Sequence, residues 1–241
     1  MPASGKPGET FGRVAEAYAR TRPPYSAEVI ERAAQELGLT SEATVLDLAA
    51  GTGNLTRALR DVFAHVVAVE PDAGMRAQFD GEVLAGTAES IPLPDGSVDA
   101  VFVGEAFHWF DPELAIPEIA RVLRPGGGLA MIWTHWWETE PPLPDAAQEL
   151  LREPWERFRA QRRPSWDDAF LDSRFQPLRY ERFVDSITVG PDELLDLYAT
   201  TSSLAAIEPE ERDALFASVR PLLEPTYLLP LKHGLTWTRL S

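Results

Sequence analysis

The sequence predicts an α/β domain built on a mostly parallel sheet with helices on both faces. Between residues 44 and 133, five short β-branched or apolar runs, "TVLDL", "HVVAVE", "EVLAG", "VDAVFV" and "GLAMIW", alternate with segments of helical spacing. Strands joined by helices form right-handed crossovers that cover a parallel sheet on both sides. The second observation is "VLDLAAGTGNLTRAL", Val45 to Leu59, where small residues stand between an apolar run and a helical one. In such a sheet the first strand-to-helix turn is where the backbone approaches a ligand most closely.

Each element follows from its local pattern. Residues 10 to 38 read as two helices. In the second, Ser26 suits the cap, Val29, Ile30, Ala33, Ala34 and Leu37 share one face, and Gly38 suits the exit. The segments "NLTRALRD", "DAGMRAQF" and "ELAIPEIARVL" carry helical spacing between the strands. After Trp133 the alternation stops in a Pro-, Trp- and Arg-rich stretch, inside which Asp145 and Gln148 fit a capping box and Leu151, Trp155 and Phe158 share a face. Further helices open at Pro191 and Pro209, with acids in the first turn. Strand-like "RYERFVDSITV" and "YLLPLKHGLTWTRL" flank them. No repeat or linker interrupts the chain. It is expected to form one domain over 1–241: a helical cap (1–40), a ligand-binding core (41–133), a lid insertion (134–180) and C-terminal strands and helices (181–241).

Composition narrows the partners. A formal charge of −16 argues against nucleic acid and anionic membranes, which need clustered cations. The absence of Cys removes disulfides, thiolate nucleophiles and cysteine metal sites. No run approaches the ~18 apolar residues of a membrane helix, and the start lacks a signal-peptide pattern. A cytoplasmic protein, monomer or homodimer, with a small-molecule partner is the expectation.

Gly51 and Gly53 lie on the first turn, permitting positive φ and leaving no Cβ in a ligand's way. No GKS or GKT follows, so a P-loop is excluded. A dinucleotide fingerprint starting at Gly51 has Thr56 where the third glycine belongs, which weakens that reading without removing it. Glu70 ends the next run, where a carboxylate can accept both hydroxyls of a ribose. A nicotinamide dinucleotide and an adenosyl sulfonium both satisfy this pattern.

Four segments in order, "VLDLAAGTGN", "AVEPDAGM", "AGTAESIPLPDGSVDAVFVGEAFHWFD" and "EIARVLRPGGGLAMIW", together with the N-terminal "FGRVAEAYARTRPPY", resemble the class I S-adenosylmethionine-dependent methyltransferases. Within that class the chain is similar to the small-molecule branch of ubiquinone and menaquinone C-methyltransferases and trans-aconitate methyltransferases. The resemblance implies a Rossmann-like, seven-stranded sheet of order 3-2-1-4-5-7-6 with strand 7 antiparallel and helical lid insertions. It implies S-adenosyl-L-methionine as cofactor and S-adenosyl-L-homocysteine as product. It places Asp47, Ala49, Gly51, Thr52, Gly53, Glu70 and Pro71 at the cofactor, with Gly51 and Gly53 facing the methionine part and Glu70 the ribose, Thr87 and Ala88 at the adenine edge, and the Gly104 carbonyl at the methionine amino group. Tyr18 and Arg22 would fold over the cofactor, Arg22 toward the methionine carboxylate. Ala49 replaces the first glycine of the family's pattern, a change that costs little if φ is negative there. Thr87 stands where the family commonly has Asp and accepts a hydrogen bond more weakly.

Methyl transfer from a sulfonium needs chiefly positioning of the acceptor and, for some acceptors, removal of a proton. His108, just past the fourth run, and His135, two residues after the fifth, are the candidate bases. His108 is equally placed to pack on Trp109. Tyr25, Trp109, Trp133, Trp136 and Trp137 are expected to wall an apolar acceptor pocket, with Trp136 and Trp137 in the lid. Asp47 is expected to orient the glycine loop by accepting backbone N–H groups, and Glu105 to touch either ligand. The pair Asp167 and Asp168 lacks further ligands at coordinating spacing, so no metal is assigned. The reading is methyl transfer to an O, N or C atom of a small, partly apolar metabolite. The alternative is a member that binds the cofactor without methylating.

Overall fold

The computed structural model describes residues 22–135, 143–159, 167–201, 204 and 207–241. Its centre is one six-stranded sheet of order β2-β1-β3-β4-β6-β5. β1 (Thr44–Leu48), β2 (His65–Val69), β3 (Val98–Gly104) and β4 (Leu123–His135) are mutually parallel. β6 (Tyr227–Arg239) runs antiparallel between β4 and β5 (Arg179–Val189).

The expected third strand in chain order, "EVLAG", is reduced to a single bridge, Leu84 beside Val69 at the outer edge of β2. Two backbone bonds hold it: Glu70 N–H to the Leu84 carbonyl at 3.0 Å and Leu84 N–H to the Ala68 carbonyl at 2.9 Å. Gly81 and Gly86 flank a segment with one neighbour only, and so short an edge offers little template for foreign pairing. With that bridge counted, the order matches the one expected, antiparallel strand included.

Strand alternation sends successive side chains to opposite faces and builds two cores. On one face Leu46, Leu48, Val101, Val103, Leu129 and Met131 pack with Ile116 and Ile119 of α4 (Pro112–Val122). On the other, Val45, Phe102, Ile132, Leu235 and Trp237 pack with Val29, Ile30 and Ala33 of α1 (Ala27–Glu36) and Leu55 and Leu59 of α2 (Asn54–Arg60). α1 ends at Gly38, whose φ of +64° serves the exit as expected, whereas the Ser26 side chain makes no capping bond. Short α3 (Ala73–Ala77) is capped by Asp72, which accepts from the Met75 N–H at 2.8 Å.

A third core joins α5 (Asp145–Arg159), α6 (Pro191–Ala199) and α7 (Pro209–Val219) to the ends of β5 and β6 through Leu151, Leu194, Leu197, Tyr198, Leu229 and Leu231. Gln148 reaches back to the Leu143 carbonyl at 2.8 Å rather than completing a box with Asp145. Among the described residues no helix is long and apolar enough to cross a membrane. All four parallel strands point their carboxyl ends to one edge, and the candidate residues converge there.

Candidate functional site at the carboxyl edge of the sheet

The turn after β1 holds three left-handed residues within five positions: Ala49 at φ +61°, Gly51 at +59° and Gly53 at +84°. The two glycines differ in what their missing Cβ would meet. At Gly53 it would lie 2.9 Å from the Phe79 ring, so packing as well as backbone requires glycine there. At Gly51 nothing lies within 4 Å. Among the described residues no contact demands a bare backbone at Gly51, and the corner is open to them.

At Ala49 φ is positive, so the condition under which its replacement of glycine would cost little is not met. An L-residue with a Cβ in the left-handed region carries roughly 1–2 kcal/mol of strain. The fixed positions around it hold that strain: Ala50 N–H donates to the Val69 carbonyl at 3.0 Å and Gly53 N–H to the Ala50 carbonyl at 2.9 Å.

Glu70 braces the turn from the neighbouring strand. Its Oε2 accepts from the Gly51 N–H and its Oε1 from the Asp72 N–H, each at 2.8 Å. The side chain is buried; burial raises its pKa, and those two N–H groups pull it back down. Each oxygen retains a lone pair beyond its backbone partner, so acceptance of ribose hydroxyls is compatible with the bracing.

Asp47 is buried on the α1/α2 face of β1 and directed at α2. Its Oδ2 accepts from the Thr56 hydroxyl at 2.5 Å, while Oδ1 has no partner among the described residues. Burial pushes the carboxyl up to about 7, against the lowering effect of the Thr56 hydroxyl and N–H. Asp47 thus ties strand to helix rather than orienting the glycines, through the hydroxyl of Thr56, the residue in the third glycine position. The Thr52 hydroxyl is also buried without a partner among the described residues.

The segment before α1 crosses this edge. Asn54 Nδ2 donates to the Pro23 carbonyl at 2.9 Å, pinning the segment to the start of α2. Tyr25 then lies over the end of β3: a Cβ on Gly104 would be 2.4 Å from its hydroxyl oxygen. Arg22 Nη2 donates to the Thr200 carbonyl at 2.9 Å, just past α6.

Glu105, directly after β3, is the second non-glycine residue with positive φ, at +56°. Its Oε1 accepts from the backbone N–H of Thr134 on β4. Burial pushes its pKa up to about 7, opposed by the charge of Arg22 and by the Thr134 N–H. The Thr134 hydroxyl lies 3.0 Å from Nδ1 of His233, its register partner on β6.

The chain from 46 to 131 matches the family described as Methyltransferase domain. It is 38% identical over 231 residues to an uncharacterised methyltransferase of Mycobacterium bovis, covering 94% of this chain and 90% of that one. The chain belongs to the methyltransferase family. A demethylmenaquinone methyltransferase of Clavibacter sepedonicus is 30% identical to this methyltransferase over 222 residues, covering 85% and 86% of the two chains. Among solved structures, a protein of Anaeromyxobacter dehalogenans described as a type II methyltransferase shares the fold at TM-score 0.64 and 20% identity, covering 90% of this chain and 97% of that one. A phosphoethanolamine N-methyltransferase of Haemonchus contortus, solved with phosphomonomethylethanolamine and S-adenosylhomocysteine, does so at TM-score 0.57 and 14% identity, covering 100% and 61%.

In this methyltransferase the remaining predicted residues fall into three groups. Pro71 is exposed after Glu70, and Thr87 is exposed in a narrow turn with Ser90. Ala88 is buried in the core, so only its backbone can meet an adenine edge. His108 and Trp109 occupy a 3-10 turn, Phe107–Trp109, with ring centroids 4.9 Å apart; Phe107 is fully core and Trp109 half-buried against it. Trp133 packs half-buried against the same α4-side core. Tyr18, Trp136, Trp137 and the His135 side chain lie outside the described residues, although the His135 backbone pairs with Lys232. Among the described residues no group of three His, Cys, Asp or Glu is placed to hold a metal.

His233 escaped the sequence reading. It lies inside a strand-like run, and only the β4–β6 register brings it beside Thr134, 99 residues away.

Proposed function

We propose that this methyltransferase transfers the methyl group of S-adenosylmethionine to an O, N or C atom of a small, partly apolar metabolite. The observation that carries the reading is the open corner at Gly51, where among the described residues no atom would lie within 4 Å of a Cβ. The chemistry of the surrounding groups fits an adenosyl amino acid. Glu70 offers lone pairs beside the turn, the buried Thr52 hydroxyl and Asp47 Oδ1 lack partners among the described residues, and Gly104 stands under Tyr25 at the next strand end. When bound, that cofactor supplies a methyl group activated on a positive sulfur.

The protein's own part is positional. Gly51 admits the ligand, Glu70 fixes the turn against β2, and Tyr25, held through the segment that Asn54 pins, covers the β3 end. Such pre-set geometry is the main lever available when the leaving group is already good. Domain boundaries follow the same division: 41–133 for the cofactor, with 1–40 and 134–180 as cap and lid.

Titration calorimetry with S-adenosylhomocysteine tests the cofactor reading, and absence of binding overturns it. Incubation with methyl-labelled cofactor and a metabolite extract tests transfer. Label appearing in a small acceptor supports it, and label recovered in no acceptor favours the non-methylating alternative.

A further inference from the structure

Three adjacent strands carry polar groups here that cofactor binding leaves unused, namely Glu105 directly after β3, Thr134 near the end of β4 and His233 within β6. Register places Thr134 and His233 on one side of the sheet, and Glu105 is joined to them by its bond to the Thr134 N–H. Gly104 pairs with Ile132, and Thr134, two residues beyond Ile132, pairs with His233. Thr134 and His233 lie above Ile132 and Leu235, the α1/α2 side, which is also the side that Tyr25 and Asp47 occupy.

The order along the carboxyl edge gives the row its direction. Glu70 on β2 marks the adenosine end and Gly51 on β1 the open corner, so the reactive end of a bound ligand falls toward β3 and β4. Glu105 leans the same way: its N–H donates to the Ile132 carbonyl at 2.9 Å, and its carboxylate reaches across to the Thr134 N–H. With strands spaced ~4.8 Å apart, that carboxylate stands about one to two strand widths from the Gly51 corner.

Its backbone sits at φ +56°, in a region that non-glycine residues occupy when the surroundings over-determine them, often at ligand sites. Only Oε1 is engaged by Thr134; Oε2 takes no part in that bond. Burial, set against Arg22 and the Thr134 N–H, gives Glu105 a pKa of about 7, close to that of an effective base near neutral pH. His108, the base expected from sequence, lies in a turn with its ring tilted at 41° against Trp109.

Resting on the proposed methyl transfer, we infer that Glu105 is the carboxylate facing the transferred methyl, and that it receives the proton of an O–H or N–H acceptor. The acceptor heteroatom bonds the methyl carbon, the carbon–sulfur electron pair returns to sulfur, and the acceptor proton passes to a Glu105 oxygen and then to solvent. Thr134 positions the carboxylate from β4, and His233 orients the Thr134 hydroxyl.

The test needs no knowledge of the acceptor. Sinefungin, in which a C–NH3+ group replaces the sulfonium S–CH3, carries a cation toward the methyl-facing side, whereas S-adenosylhomocysteine carries nothing there. Calorimetry at about pH 8, above the Glu105 pKa, compares both ligands on wild type, Glu105→Gln and His108→Asn, with melting curves to verify folding. Wild type should prefer sinefungin by about tenfold, the scale of a hydrogen bond to a charged group. Glu105→Gln should erase that preference and leave S-adenosylhomocysteine affinity unchanged, and His108→Asn should preserve it. The inference alone is overturned if Glu105→Gln changes both ligands equally or neither, or if His108→Asn erases the preference. Failure of wild type to bind either ligand overturns the methyl-transfer reading with it. A purely structural Glu105, ending the β3–β4 ladder, would not change the ratio of the two affinities.

Discussion

Gly51→Ala separates the backbone demand of the first turn from the demand of a ligand, because the fold contains its control. Gly51 and Gly96 have φ of +59° and +58°, and at neither would a Cβ meet another atom within 4 Å. Gly96 lies in the turn before β3, at the opposite end of that seven-residue strand, about 20 Å from its carboxyl end. Alanine at either site carries ~1–2 kcal/mol of left-handed strain, offset by ~0.4–1 kcal/mol from the stiffer unfolded chain. The net loss is about 0.5–1.5 kcal/mol for each variant, or ~1–5 °C in Tm for a chain of this size. Ligand affinity should distinguish them. A methyl at Gly51 enters the open corner, where overfilling a packed site costs ~1–3 kcal/mol, roughly 5- to 150-fold in Kd; at Gly96 it enters solvent. Melting curves and S-adenosylhomocysteine calorimetry on the pair read both quantities. Equal stability losses with equal, unchanged affinities would refute the assignment of the corner to a ligand.

Ala49→Gly removes the strain at φ +61° and should raise stability by about 0.5–1 kcal/mol despite the looser unfolded chain; a lower Tm would contradict the account of that turn. Glu70→Gln leaves one acceptor oxygen for two N–H groups, Gly51 and Asp72, so urea unfolding should show a loss of ~1–3 kcal/mol and calorimetry a weaker ligand. Asp47 has a folded pKa of about 7 against an ordinary 3.8. The folded state therefore binds more protons than the unfolded state between those values, and stability falls as pH rises through that window by about 1.4 kcal/mol per pH unit per such group. Asp47→Asn, which keeps an acceptor for the Thr56 hydroxyl, should make the decline between pH ~4 and ~7 shallower. An unchanged slope would show that Asp47 does not hold its proton.

Much of the fold was legible because local spacing encodes it. Val29, Ile30, Ala33 and Ala34 mark the buried face of α1, and the prolines at 191 and 209 open the helices expected of them. The runs "TVLDL", "HVVAVE" and "VDAVFV" became the strands Thr44–Leu48, His65–Val69 and Val98–Gly104, within one residue of the expected ends. The "EVLAG" run did not, because an outer edge with glycines on both sides supplies too few bonds to extend beyond Leu84. The positive φ at Ala49 was hidden as well, since strain tolerated by an alanine leaves no mark in residue type.

The amino-acid order alone determined the succession of strands and helices and the bare turn at Gly51 and Gly53, since helical and strand periodicity and turn chemistry act over a few neighbouring residues. The third dimension decided which distant groups meet. Glu70 braces the turn 19 residues before it, Arg22 reaches Thr200, and an antiparallel register sets His233 against Thr134. Those meetings depend on strand order and register, which arise from burying two faces of one sheet at once rather than from any short stretch of chain.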